Sequence, residues 1–95
     1  MSLRQWHEYG WLRKVSPTAH MVHSLFATAD REIADGSLSG ISADGRFGHA
    51  YNAVRVLAEL ALHVSGNRLD KSGGGHERAL ESLEHTIRGD WALRM

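Results

Sequence analysis

A strip of hydrogen-bonding side chains runs through an otherwise apolar segment in the middle of the chain. Between positions 46 and 63, imidazole, amide, guanidinium and carboxylate groups recur among Ala, Val and Leu residues. Such groups can line a ligand cleft, contact a second subunit, or hydrogen-bond to one another across packed helices. We therefore take seven residues as a candidate ligand or interface seam: Arg46, His49, Tyr51, Asn52, Arg55, Glu59 and His63.

The seven histidines of the chain raise the alternative of a metal site. His20 and His23 lie three positions apart, and His49 or His63 would complete a zinc site on facing helices. The chain has no cysteine, and it has no Glu-x-x-His pair to supply a carboxylate. The glycine-rich "KSGGGHE" lacks the Gly-Lys-Ser/Thr ending of a phosphate-binding loop and is typical of a hinge before a helix. We expect no metal and no cofactor.

Apolar residues at 3.6-residue spacing predict that helices position these side chains. Ser16-Pro17 is a typical helix start, and Asp35-Gly36 a typical end. The apolar stripe between them consists of Met21, Val22, Leu25, Phe26, Ala29 and Ile33. A central helix begins at Ser42 or Asp44 and ends at Ser65, with Gly66 as its left-handed cap. A short helix over 3–13, a flexible connection over 66–75 and a last helix from about His76 complete the chain, and no sheet is expected.

The central helix is predicted to be apolar on two sides and therefore packed against more than one neighbour. The fold class is all-α: a small up-and-down helical bundle of about four helices with a long central helix. Residues 1–95 form a single domain, with a short N-terminal helix over 1–15 and the bundle core over 16–95. Three tryptophans and a two-faced helix exceed what so small a bundle covers, so we expect a homodimer.

Composition excludes several classes of function. Basic and acidic residues number 11 each, divided as 4 and 5 in residues 1–45 and as 7 and 6 in residues 46–95. No half is strongly basic, which argues against broad binding to duplex nucleic acid. The first residues, "MSLRQWHEYGW", are too polar for a signal peptide, and no apolar run reaches the length of a membrane span. We expect a cytoplasmic protein without a membrane partner.

The segment "RFGHAYNAVRVLAELALHVSG", followed by "GGGHERALESL", resembles the HEPN family (higher eukaryotes and prokaryotes nucleotide-binding). The matching pattern is Arg-aromatic-x-x-Ala-aromatic-x-Ala, followed by small residues and leucines. It is carried here by Arg46, Phe47, Ala50, Tyr51 and Ala53. The preceding helix fits the first long helix of that family, and the resemblance covers about residues 17–88. It implies a helical bundle that often dimerises.

Active members of that family are ribonucleases with an Arg-x(4–6)-His motif at a dimer cleft. The resemblance maps this motif onto Arg78 and His85, which are separated by six residues and lie on one face of a helix. The histidine would move protons and the arginine would stabilise phosphate charge. Ala79 stands where the family has Asn. The chain also ends at Met95, before the further C-terminal helix of the relatives it most resembles, as in a truncated family member.

Two functions follow as expectations. The first is a HEPN-like module in a toxin–antitoxin or defence setting that binds RNA or a nucleotide, with metal-independent endoribonuclease activity if Arg78 and His85 are functional. The alternative is a catalytically silent, homodimeric interaction domain with a cognate partner protein. Overall charge neutrality favours protein or small-ligand partners.

Overall fold

In the part of the chain that the structure describes, the fold consists of four helices and two short strands. The computed structural model of the chain describes residues 2–70 and 75–88. The elements in chain order are α1 (Leu3–Glu8), β1 (Leu12–Lys14), α2 (Ala19–Gly36), α3 (Ala43–Val64), β2 (Asn67–Leu69) and α4 (Gly75–Arg88). The predicted small, mostly helical fold with four helices and a long central helix is confirmed, and α3 is that helix with 22 residues.

Side-chain caps fix the ends of the long helices. Ser42 Oγ accepts a hydrogen bond from the Gly45 N–H at the start of α3, as the sequence predicted. Gly66 follows the end of α3 with φ of +88°, the left-handed conformation expected for a glycine cap. The expected start of α2 at Ser16 is wrong by two residues. Thr18 is the cap there, because its Oγ1 accepts from the Met21 N–H at 3.1 Å.

The expectation of no sheet is wrong. Strands β1 and β2 pair antiparallel, with Leu12 opposite Leu69 and Arg13 opposite Arg68. The predicted helix over 3–13 stops at Glu8, because Gly10 adopts a φ of +77° and turns the chain into β1. Each strand has only three residues, and its partner lies more than 50 positions away. The alternation of apolar and polar residues is therefore too short to detect in the sequence.

The main core lies where α1, the two strands and the end of α3 meet. Trp6, Leu12 and Leu62 are buried there, and Trp6 is only 2% exposed. The Trp6 and Trp11 rings meet edge to face, with centroids 5.7 Å apart. Helix α4 contributes the buried Ala79 and Ser82 to the interior. The N-terminal tryptophans thus form part of the core.

Helices α2 and α3 form an antiparallel hairpin. Contacts join Thr18 to His63 at one end and Glu32 to His49 at the other. The helices approach closely near Gly36, where an added Cβ would lie 2.9 Å from the Cβ of His49. Within residues 2–70 and 75–88, none of the helices has the length and apolar character needed to cross a membrane.

Candidate functional site

The first group of the polar strip links α3 to the C-terminal part of α2. His49 Nδ1 and Glu32 Oε2 lie 2.7 Å apart, and both side chains are partly buried. The hydrogen bond from His49 holds the pKa of Glu32 below its ordinary value of 4.5, against the opposing effect of burial. The Asn52 amide also lowers the pKa of Glu32 through a hydrogen bond. These three residues therefore form an inter-helix polar contact.

The second group lies within α3. Arg55 Nη1 donates to Glu59 Oε1 at 2.9 Å, the i,i+4 pair that the sequence predicted. The Nε of Arg55 is buried and has no hydrogen-bond partner in the described part of the chain. An unpartnered buried N–H reduces stability, because it loses its hydrogen bond to water without replacement.

His63 closes the other end of the strip. It is 9% exposed, and its Nε2 accepts a hydrogen bond from the backbone N–H of Thr18 at 3.1 Å. An acceptor at Nε2 requires the tautomer that carries its hydrogen on Nδ1. A side chain of α3 thereby satisfies a free backbone donor at the start of α2.

Arg46 and Tyr51 lie apart from these contacts. Arg46 is exposed, and the Tyr51 ring stacks on Phe47 with centroids 6.4 Å apart. Of the seven predicted seam residues, the structure places three at the α2–α3 contact: His49, Asn52 and His63. Arg55 and Glu59 pair beside it along α3.

Arg78 and His85 lie on one face of α4, as their spacing predicted, and that face packs against the N-terminal tryptophans. The guanidinium carbon of Arg78 is 3.8 Å from the centroid of the Trp11 ring and 5.6 Å from that of Trp6. His85 meets the Trp6 ring edge to face at 5.3 Å. Arg78 Nη1 also donates to Glu81 at 3.1 Å. Sequence reasoning did not foresee that Trp6 would contact both residues.

A cleft of about 300 Å³ opens between the start of α2, the end of α3 and strand β2. Its polar lining consists of Glu59, His63, Asn67 and Arg68, and its apolar lining includes Met21, Leu25 and Leu69. Sequence reasoning identified Glu59 and His63 but missed Asn67 and Arg68, because residues 66–75 were expected to be a flexible connection. Residues 67–69 instead form β2. Asn67 is buried, and its amide contacts His7 and Ser65.

The proposed zinc alternative gains no geometric support. His20 and His23 are both exposed on α2. Among the residues that the structure describes, no three His, Cys, Asp or Glu side chains are grouped closely enough to hold a metal ion.

Comparison with known proteins gives no family assignment: no family model matches the chain, and no curated protein or solved structure matches it significantly.

Proposed function

We propose that this protein is a non-catalytic interaction module that forms a homodimer through one side of the α2–α3 hairpin. The surface concerned, called the apolar flank below, comprises five exposed side chains: Phe26, Ile33, Phe47, Val54 and Leu57. This exposed face is the observation that carries the proposal. Its residues belong to the apolar stripes of α2 and α3, which were expected from the sequence to face the interior of a bundle.

Helix geometry places Phe26 and Ile33 of α2 and Leu57 of α3 on the side of the hairpin away from the Glu32–His49 contact, and Val54 and Phe47 next to Leu57 on the outer face of α3. On α2, the buried Ala29 faces the interior. Phe26, three positions before it, and Ile33, four positions after it, lie to one side of Ala29, and Glu32, three positions after it, lies to the other side. Glu32 contacts His49 of α3, so it marks the polar side of the hairpin. On α3, Leu57 and Val54 lie away from that polar side, and Phe47 continues their stripe toward the start of the helix.

The exposed fractions of these residues are large for a small domain. They range from 37% for Leu57 to 72% for Phe47. With about 200 Å² for each large apolar residue, they leave roughly 500 Å² in contact with water. Apolar patches of that size are at the upper end for monomeric proteins and are often functional. Together with a polar rim, the flank approaches the roughly 800 Å² per partner of a standard interface.

Charges beside the flank favour a second copy of the chain as its occupant. Asp30 follows Phe26 by four positions and precedes Ile33 by three, so it borders the flank on α2. Arg46 borders the flank at the start of α3. Both side chains are exposed, and neither forms an ion pair with any described residue. A two-fold axis through the flank would bring Asp30 of each copy toward Arg46 of the other.

The surroundings of Arg78 and His85 support the non-catalytic part of the proposal. Stacking on Trp11 and the hydrogen bond to Glu81 already engage the guanidinium. The His85 ring packs against the buried Trp6. Both side chains thus help to dock α4 on the N-terminal segment, which explains their shared face without a reaction.

The test is the mass of the protein in solution, measured by sedimentation at several concentrations. We expect a dimer that the Phe26→Glu variant converts to a monomer with an unchanged far-UV circular dichroism spectrum. Tyr9→Glu is the control: Tyr9 is 59% exposed, against 50% for Phe26, but it lies after α1 and outside the flank, and the variant should remain dimeric. A monomeric wild type at high concentration refutes the proposal, as does equal dissociation of both variants.

Charge reversal tests the two-fold arrangement. Asp30→Arg or Arg46→Asp alone places like charges across the interface and should weaken the dimer by roughly tenfold, while the double variant restores it. Independent effects of the two changes would contradict the proposed pairing.

A second candidate function is an RNA-associated HEPN-like module, which rests on the sequence resemblance over about residues 17–88 and on the shared face of Arg78 and His85 on α4. Its test is cleavage of mixed cellular RNA in a chelator, with the Arg78→Ala/His85→Ala double variant checked for folding. Cleavage by the wild type that the double variant loses would replace the non-catalytic proposal. Absence of cleavage would remove the catalytic form of the second candidate.

A further inference from the structure

We propose that the cleft between α2, α3 and β2 binds a small carboxylate that has an aromatic or branched apolar body. The cleft lies on the polar side of the hairpin, because Leu25 stands on the same side of α2 as Glu32. The inference is therefore independent of the apolar flank and of the proposed dimer.

His63 is a hydrogen-bond donor in the lining of the cleft. The side chain is more than nine-tenths buried, and its Nε2 is occupied by the Thr18 N–H. Its Nδ1 then carries a hydrogen, and no described residue accepts it. In the described part of the chain the only fully buried side-chain polar atom without a partner is Nε of Arg55, so the Nδ1 hydrogen of His63 is accessible to solvent. A ligand oxygen in the cleft would provide the acceptor for the Nδ1 hydrogen.

Arg68 supplies the charge. It is exposed at the edge of the cleft, opposite Arg13 in the two-stranded sheet. Arg13 pairs with Asp70, whereas Arg68 forms no ion pair with any described residue. Its guanidinium can hold a carboxylate through two parallel hydrogen bonds. The other ionised lining residue, Glu59, is already paired with Arg55. The lining therefore favours an anion.

The wall and the size of the cleft define the rest of the ligand. Val15, Met21, Leu25 and Leu69 supply an apolar surface next to the two polar groups. A volume of about 300 Å³ is at the lower end for small-molecule sites and accommodates one substituted ring or a branched chain. A compact body with one carboxylate matches both the wall and the charge.

The experiment is a titration followed by nuclear magnetic resonance, with indole-3-acetate as the anionic probe and indole-3-acetamide as its neutral counterpart. We expect the acetate to shift the His63 ring and Leu69 methyl signals, and to bind roughly tenfold more tightly than the acetamide. Arg68→Gln should abolish this preference. Arg4→Gln, which removes a highly exposed arginine of α1, should leave affinity within about twofold of the wild type.

A cleft-filling variant, Met21→Trp, should weaken both probes while Arg68→Gln weakens only the acetate. The inference is overturned if neither probe shifts the cleft signals at about 10 mM, where even weak millimolar binding would show. It is equally overturned if the acetate and acetamide bind alike to the wild type, or if the shifts map to another surface. The Phe26→Glu variant should bind the acetate normally, which separates this result from the state of the dimer.

Discussion

Replacing Gly36 by Ala tests the closeness of the α2–α3 contact. Gly36 ends α2 with a backbone that alanine also adopts, so the substitution would normally be mildly favourable in a helix. Here the new methyl group would lie 2.9 Å from His49 Cβ and 3.9 Å from the Arg46 carbonyl oxygen. Carbon atoms prefer separations of about 3.5–4.0 Å, so the helices must move apart.

The two effects differ in size. Restricting the unfolded chain by Gly→Ala stabilises a protein by about 0.4–1 kcal/mol. Forcing an extra carbon into a closely packed contact costs about 1–3 kcal/mol. The clash involves Cβ of His49, which sits on the helix backbone and cannot rotate away. We therefore expect Gly36→Ala to lower the free energy of unfolding by about 1–2 kcal/mol.

Gly48→Ala provides the matched control. Gly48 lies inside α3, and an added Cβ there has no atom within 4 Å. Only the helix propensity changes, so the variant should be more stable by up to about 1 kcal/mol. The same substitution thus has opposite expected signs at two positions that are 12 residues apart.

Urea unfolding of the wild type and the two glycine variants measures whether each change raises or lowers the free energy of unfolding. All three proteins are compared at one fixed concentration, because dimerisation would make the measured stability depend on concentration. A domain of this size should show a melting temperature about 4–8 °C lower for each kcal/mol lost. If Gly36→Ala stabilises the protein as much as Gly48→Ala, then α2 and α3 do not approach as described, and the assignment of the two sides of the hairpin fails with it.

Three further outcomes can be measured by the same unfolding assay. The pKa of Glu32 is lower in the folded protein than its ordinary value of 4.5, so on acidification the unfolded chain takes up a proton at this carboxylate first and stability should fall below about pH 4.5. The Glu32→Gln variant should show a flatter dependence of stability on pH in that range, and a dependence equal to that of the wild type would contradict this prediction. Arg55→Met should leave stability unchanged or raise it by up to about 1 kcal/mol, since it removes the unpartnered buried Nε; a large loss would show that its pair with Glu59 dominates. Leu62→Ala should cost about 2–5 kcal/mol, since this core side chain is 1% exposed, and a smaller loss would indicate a loose core.

The sequence predicted what depends on local patterns. Ser42 and Gly66 marked the ends of α3 because capping is decided by one side chain or one backbone angle. Arg55 and Glu59 paired as four-residue spacing requires. Thr18 was missed as a cap because Ser16-Pro17, just before it, is itself a typical helix start. Only the geometry shows which hydroxyl reaches a free N–H.

The sequence could not predict what depends on distant partners. His49 and His63 were recognised as polar residues of the central helix, but their partners Glu32 and Thr18 belong to another helix. The cleft also required β2 to pair with β1, which is distant in the sequence, and to lie against α3. A periodic stripe shows which side of a helix is apolar, and it does not show whether the fold covers that side. Phe26 and Ile33 fit the stripe, yet half of each remains exposed.

The short ribbon of β1 and β2 also has a consequence for the order of folding. It joins Lys14 to Asn67, 53 positions later, and two further backbone bonds extend it from Val15 to Gly66 and from Asp70 to Trp11. Closing so long a loop costs more chain entropy than pairing α2 with α3 across a six-residue connection. The helical hairpin should therefore form early and the ribbon late. In the native protein the ribbon amides would then exchange with solvent before those of α3, as the first part of the molecule to open.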